Sequence, residues 1–176
     1  MPSQTDIQHT LQQLADFPVY YEGDYKPLVG LLIRWGASQH EAEDVAQEAM
    51  LATFTSWLTI QSPKAFARKA AYRILLRSWK VSEREDCAAR RVAQDAIVEA
   101  FDANEDLAEY QRMMRVLPHA QRVVFELHHD GYGYAEISEI TGQQRETVRS
   151  NVRHARQKLV RMMERESPRR EATHGP

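Results

Sequence analysis

The sequence predicts an all-α chain, two small helical domains joined by an acidic linker. Three observations carry that expectation. Neither Gly nor Pro occurs between Pro63 and Pro118, so this long stretch contains no helix breaker. Apolar residues recur at intervals of three and four, the period of a helix packed on one face. Charge is also partitioned: residues 38–50 carry a net −4, Lys64 to Arg91 a net +6, and residues 92–110 hold six acids and no base. Gln144 to Arg170 then returns to +6, although the whole chain sums to only −2. Two basic blocks separated by an acidic spacer suggest two polyanion-binding surfaces in one chain.

A chain of 176 residues suits one large domain or two small ones. No apolar run approaches the roughly 18 residues of a membrane span. The opening MPSQTDIQHT lacks the basic and apolar regions of a signal peptide, so no membrane insertion and a cytoplasmic location are expected. Cys87 is the single cysteine, which excludes an internal disulfide and argues against a structural zinc site among scattered histidines. His128 and His129 are adjacent and lack the i, i+4 spacing of a helical metal pair. No metal or cofactor is expected.

The elements follow in order. Phe17, Tyr20, Tyr21 and Tyr25 precede Pro27, after which Leu28, Leu31, Leu32 and Trp35 recur at helical spacing and Gly36 ends the helix. Residues 1–16 read as an N-terminal extension. Ser38 with Glu41 has the form of a capping box, S-x-x-E, opening a helix to about Trp57 that buries Val45, Ala49, Ala52 and Phe54. Ser62-Pro63 pairs an N-cap hydroxyl with proline at the first helical position. In the helix that follows, Phe66, Ala70 and Ile74 form an apolar line, and Lys69, Arg73, Arg77 and Lys80 a basic line on another face. Residues 17–82 thus form a first bundle, 83–105 the acidic linker, 106–166 a second bundle and 167–176 a disordered tail.

In the second bundle Leu107, Tyr110, Met114 and Leu117 lead to Pro118, then Val123, Val124 and Leu127 to the turn DGYGY. A short helix from Tyr134 to Ile140 breaks around Thr141-Gly142, and a long helix follows. Val148, Val152, Ala155, Leu159 and Met162 form its buried stripe, with Arg145, Arg149, Arg153 and Arg156 beside it. A short helix, a glycine-containing turn and a long helix with one basic edge match a helix-turn-helix. Gln144, Arg145, Arg149, Ser150 and Arg153 would then face bases or phosphates, and His154 lies beside them. Arginine makes up 18 of the 23 basic residues, which suits bidentate phosphate contacts.

The stretch LPHAQRVVFELHHDGYGYAEISEITGQQRETVRSNVRHARQKL resembles the promoter-binding domain of bacterial RNA polymerase sigma factors of the extracytoplasmic-function group. The shared residues are Leu117-Pro118, Gln121-Arg122, Tyr134-Ala135-Glu136-Ile137, Gly142, Thr147-Val148-Arg149-Ser150 and Ala155-Arg156. EAEDVAQEAMLATFTSW and SPKAFARKAAYRILLRSW resemble two consecutive helices of the same family, in the same order along the chain. The resemblance implies no enzyme activity and no catalytic residue. It implies that Glu43, Asp44, Gln47 and Glu48 dock on the β′ coiled-coil of core RNA polymerase, with the β flap as a second polymerase contact. It places Lys64, Arg68, Lys69, Tyr72, Arg73 and Arg77 against the single-stranded −10 element, beside a base-specific loop at Leu58 to Gln61. It sets Gln144, Arg145, Thr147, Arg149, Ser150, Arg153 and His154 on the −35 duplex, and it allows an anti-sigma factor as a further partner.

Several positions depart from the family pattern. Gln143 and Gln144 stand where an apolar residue and a small N-cap are usual, Thr141 replaces a leucine, Asn151 an arginine, and Arg73 a frequent asparagine. A stand-alone helix-turn-helix regulator is the main rival reading, and a helical protein that only sequesters a partner is another. An enzyme reading of the carboxylates in residues 38–50 has no matching nucleophile, metal set or phosphate loop.

Overall fold

The computed structural model describes residues 4–85 and 105–171, and among these every regular element is a helix. They are α1 (Gln4–Trp35), α2 (Gln39–Thr55), α3 (Pro63–Glu85), α4 (Glu105–Arg115), α5 (His119–His129), α6 (Tyr134–Thr141) and α7 (Arg145–Glu171). The chain divides into two compact units, the first holding α2, α3 and the bulk of α1, the second holding α4 to α7. Most of the expected acidic linker, with Cys87, lies outside the described residues.

The 32-residue α1 begins well before the helical spacing read after Pro27, and it passes through both Pro18 and Pro27 without a break. A proline inside a helix removes one backbone hydrogen bond and crowds the preceding turn, at a cost of about 3 kcal/mol. Burial offsets it: Leu28, Leu31, Leu32 and Trp35 are each no more than 1% exposed. The expected extension at 1–16 is therefore helical from Gln4 onward. Gly36, at φ 112°, then takes a backbone conformation that side-chain-bearing residues rarely adopt, and the helix stops.

Ser38 caps α2 as expected, its hydroxyl accepting from the Glu41 N–H at 3.1 Å. The Glu41 carboxylate instead accepts from the Ser78 hydroxyl on α3, at 2.8 Å, tying the two helices together. The buried face of α2 is Ala42, Val45, Ala46, Ala49, Met50 and Thr53. Ala52 and Phe54 lie at its margin, and Phe54 remains 45% exposed against Phe17, whose ring is 4.8 Å away. On α3 the buried set is Ala67, Arg68, Ala71, Tyr72 and Leu75, one position on from the expected Phe66, Ala70 and Ile74, which are half-buried. Small alanines let α3 lie close to α2, so the deepest contact falls on them rather than on the larger neighbours.

In the second unit α5, α6 and α7 pack on one another around Val123, Val124, Leu127, Ile137, Ile140, Val148 and Val152. Met114 and Leu117 meet Ala155 and Leu159 further along, with Tyr110 and Phe125 packed on the edge of that cluster. Arg122 closes the end of α4: its guanidinium donates to the carbonyls of Met114 at 3.1 Å and Leu117 at 3.3 Å. Burial, and the Arg115 guanidinium beside it, push the Arg122 pKa down. Glu126 is fully buried and accepts from the Tyr110 hydroxyl at 2.8 Å. Burial and that carboxylate together push the Tyr110 phenol well above its ordinary range. The helix α7 continues through Pro168 to Glu171.

Candidate nucleic-acid interface

The three residues between α6 and α7 make the turn of a helix-turn-helix. Gly142 takes φ 71° and its N–H closes α6 on the Ser138 carbonyl at 2.8 Å, so the chain reverses within one residue. Glu136 starts α6 by accepting from the Gly133 N–H at 2.8 Å. Two residues of the shared motif, Arg122 and Glu136, therefore hold helix ends.

Along α7 four residues of the expected stripe, Val148, Val152, Ala155 and Leu159, are all under 7% exposed, and the fifth, Met162, is half-buried. Gln144, Arg145, Thr147, Arg149, Arg153 and His154 are exposed and Ser150 is half-buried, all beside that stripe. The Arg149 guanidinium lies 5.6 Å from the centre of the Tyr134 ring, which stacks on His128 at 5.0 Å. Tyr134 thus supports a cation in the second turn of α7, a contact worth about 0.5–1 kcal/mol at an exposed site. The result is a convex edge carrying arginines on a rigid helix, suited to the phosphates and base edges of a duplex groove.

The first unit divides its cations differently. Lys64, Arg73 and Arg77 are exposed and Lys69 is half-buried. Arg68 is only 3% exposed and is held by both oxygens of Asp24, Nη2 donating to Oδ1 at 2.8 Å and Nη1 to Oδ2. The Tyr20 hydroxyl donates to the same carboxylate at 2.8 Å. Tyr72 is 6% exposed and part of the core. Arg68 and Tyr72 therefore do not share the open surface on which the sequence set them, because both fall on the face of α3 that packs inward. A cleft of about 410 Å³ lies between α1 and the start of α3, with Tyr20, Asp24, Gln61, Ser62 and Lys64 among its walls. Gln61 and Lys64 were legible in the sequence as parts of this site, but Asp24 and Tyr20 were not, since a contact across 44 residues leaves no local signal.

On α2, Asp44, Gln47 and Glu48 are exposed and Glu43 half-buried. Glu43 accepts from the Gln39 side chain, and Asp44 lies 3.7 Å from His40. The face is acidic and solvated, next to exposed Leu51 at 65%. Among the described residues no group of three or more His, Cys, Asp or Glu could hold a metal ion, and no helix is long and apolar enough to cross a membrane.

Residues 107–159 match the family described as sigma-70, region 4, which covers α5, α6, the turn and the exposed edge of α7. No curated protein matches the chain. Among solved structures, the chain is similar to the sigma factor RpoE in its complex with the anti-sigma factor NepR from Bartonella quintana. That likeness has a TM-score of 0.68 and 18% identity, over 85% of this chain and 97% of the other, and it concerns the fold. Residues 107–159 thus belong to the sigma-70 region 4 family, and the chain as a whole shares the fold of a solved sigma factor over 85% of its length.

Proposed function

We propose that this chain binds core RNA polymerase, directs it to promoters by recognising −35 and −10 elements, and promotes local melting of DNA at the start site. The observation that carries the reading is the region 4 match laid over a helix-turn-helix whose basic edge is exposed. In this reading Gln144, Arg145, Thr147, Arg149, Ser150, Arg153 and His154 meet the −35 duplex in the major groove. Lys64, Lys69, Arg73 and Arg77 hold the backbone of the single-stranded −10 element, and Arg68 acts from inside, fixing α1 to α3 through Asp24. The cleft beside Gln61, Ser62 and Lys64 offers an aromatic wall at Tyr20 and a cation at its rim, the two features that hold an unstacked base.

The acidic face of α2, at Glu43, Asp44, Gln47 and Glu48, is the surface proposed for the polymerase β′ coiled-coil, with the β flap as a second contact. An anti-sigma factor is a further partner, by likeness to the matched complex. The chain acts in the cytoplasm, where the polymerase is, and the chemistry of RNA synthesis stays with the polymerase. A stand-alone duplex-binding regulator would leave the first unit without a task, whereas the fold likeness spans 85% of the chain. The test is binding to purified core polymerase: reversing charge with Asp44→Lys and Glu48→Lys together should weaken association by about tenfold or more. Unchanged association would remove the α2 face from the interface.

A further inference from the structure

The recognition helix begins without an efficient cap, because glutamine at 144 stands where Ser, Thr, Asp or Asn would serve. Something else must fix where α7 starts. The preceding residue, Gln143, is held at three points. Its N–H lies 3.4 Å from the Thr141 hydroxyl, which itself donates to the Ile137 carbonyl at 2.7 Å. Its carbonyl accepts from the Ser138 hydroxyl at 2.6 Å. Its side-chain oxygen accepts from the Asn151 amide at 3.0 Å. Ser138 and Thr141 belong to α6 and Asn151 to the second turn of α7, so one residue is fastened to both helices of the motif. Three of the departures noted in the sequence, Thr141, Gln143 and Asn151, thus meet in one hydrogen-bonded lock.

We infer that Ser138, Gln143 and Asn151 are positioning residues that fix the start of the recognition helix, and that they make Gln144 the specificity-determining side chain of the −35 contact. Gln144 follows the lock directly. Its carbonyl accepts the first helical bond, from the Val148 N–H at 3.0 Å, and its side chain is exposed at the leading end of α7. A helix entering the major groove N-terminus first presents this position to a base edge. The glutamine amide offers one donor and one acceptor side by side, the pattern that adenine answers with N7 and its 6-amino group. The base pair read here is therefore A·T. Such readout needs the amide held to a fraction of an ångström, which the lock supplies in place of a cap.

The inference rests on the −35 reading above, and the experiment separates the two. The full chain, assembled with core RNA polymerase, is used to select bound duplexes from a random-sequence pool, and the enriched sequences are compared among variants. The wild-type chain should enrich a −35 segment containing one A·T pair whose discrimination falls about tenfold in Gln144→Ala. Asn151→Ala should give the same local loss, leaving the rest of the segment intact. Gln143→Glu, which keeps an acceptor for Asn151, should retain the preference even where its added charge lowers overall affinity. Gln144→Ala alters only an exposed side chain, so the test stays decisive where Asn151→Ala fails to fold. If the wild-type chain enriches no upstream segment, the −35 reading fails and the inference with it. If it enriches one that Gln144→Ala or a folded Asn151→Ala leaves unchanged, the reading stands and the inference is overturned.

Discussion

Arg68 and Arg73 are chemically identical side chains on one helix, yet Arg68 is buried against Asp24 and Arg73 is exposed. A buried ion pair contributes little net stability over an apolar pair, but removing one partner strands the other charge. Asp24→Ala should therefore destabilise the first unit by about 3 kcal/mol, read by thermal or denaturant unfolding. Arg149 works the other way, as an exposed cation supported on Tyr134. Arg149→Ala should leave stability nearly unchanged, weaken DNA binding and lower the slope of log affinity against log salt by about one, if its contact is a phosphate. Titration of binding from low to moderate salt checks both the affinity and the slope. The exposed arginines were legible in the sequence because their spacing against the apolar stripe of α7 sets their direction. Arg68 was not, since its face of α3 is decided by a residue on another helix.

At the scale of elements, start and stop signals were read well where they are local. Ser38 caps α2, Pro63 opens α3, Gly36 ends α1 and Gly142 ends α6. The left-handed conformation at Gly142 has open space around it, so an alanine there meets no atom and its penalty is backbone strain alone. Gly142→Ala should cost about 1–2 kcal/mol in the second unit and loosen the turn, measurable by unfolding and by amide hydrogen exchange along α6. What the sequence misjudged were features that tertiary packing overrides. The helical spacing was read only after Pro27, yet α1 runs through that proline and through Pro18, carried by its buried leucines. Phe66 and Ile74 read as the centre of the α3 core, but Ala67 and Ala71 allow the closer approach and take that place.

For the whole molecule, the pattern of charge says more than its total. An acidic helix, a basic helix and a second basic helix in a helix-turn-helix lie in that order along the chain, and the all-helical fold expected from the sequence is the one observed among the described residues. The helix-turn-helix was readable because its periodicity, its glycine and its arginine edge all fall within a short span of sequence. The cleft between α1 and α3 was not, since its walls come from two distant stretches of chain. In the proposed function these surfaces act together, as one factor that brings polymerase to a promoter. It is tested most directly by adding the purified chain to purified core RNA polymerase on genomic DNA and mapping the 5′ ends of the transcripts. Discrete starts are expected, absent with core polymerase alone, each preceded by the same pair of sequence blocks at −35 and −10. Transcripts that are no more numerous or better defined than those of core polymerase alone would contradict it.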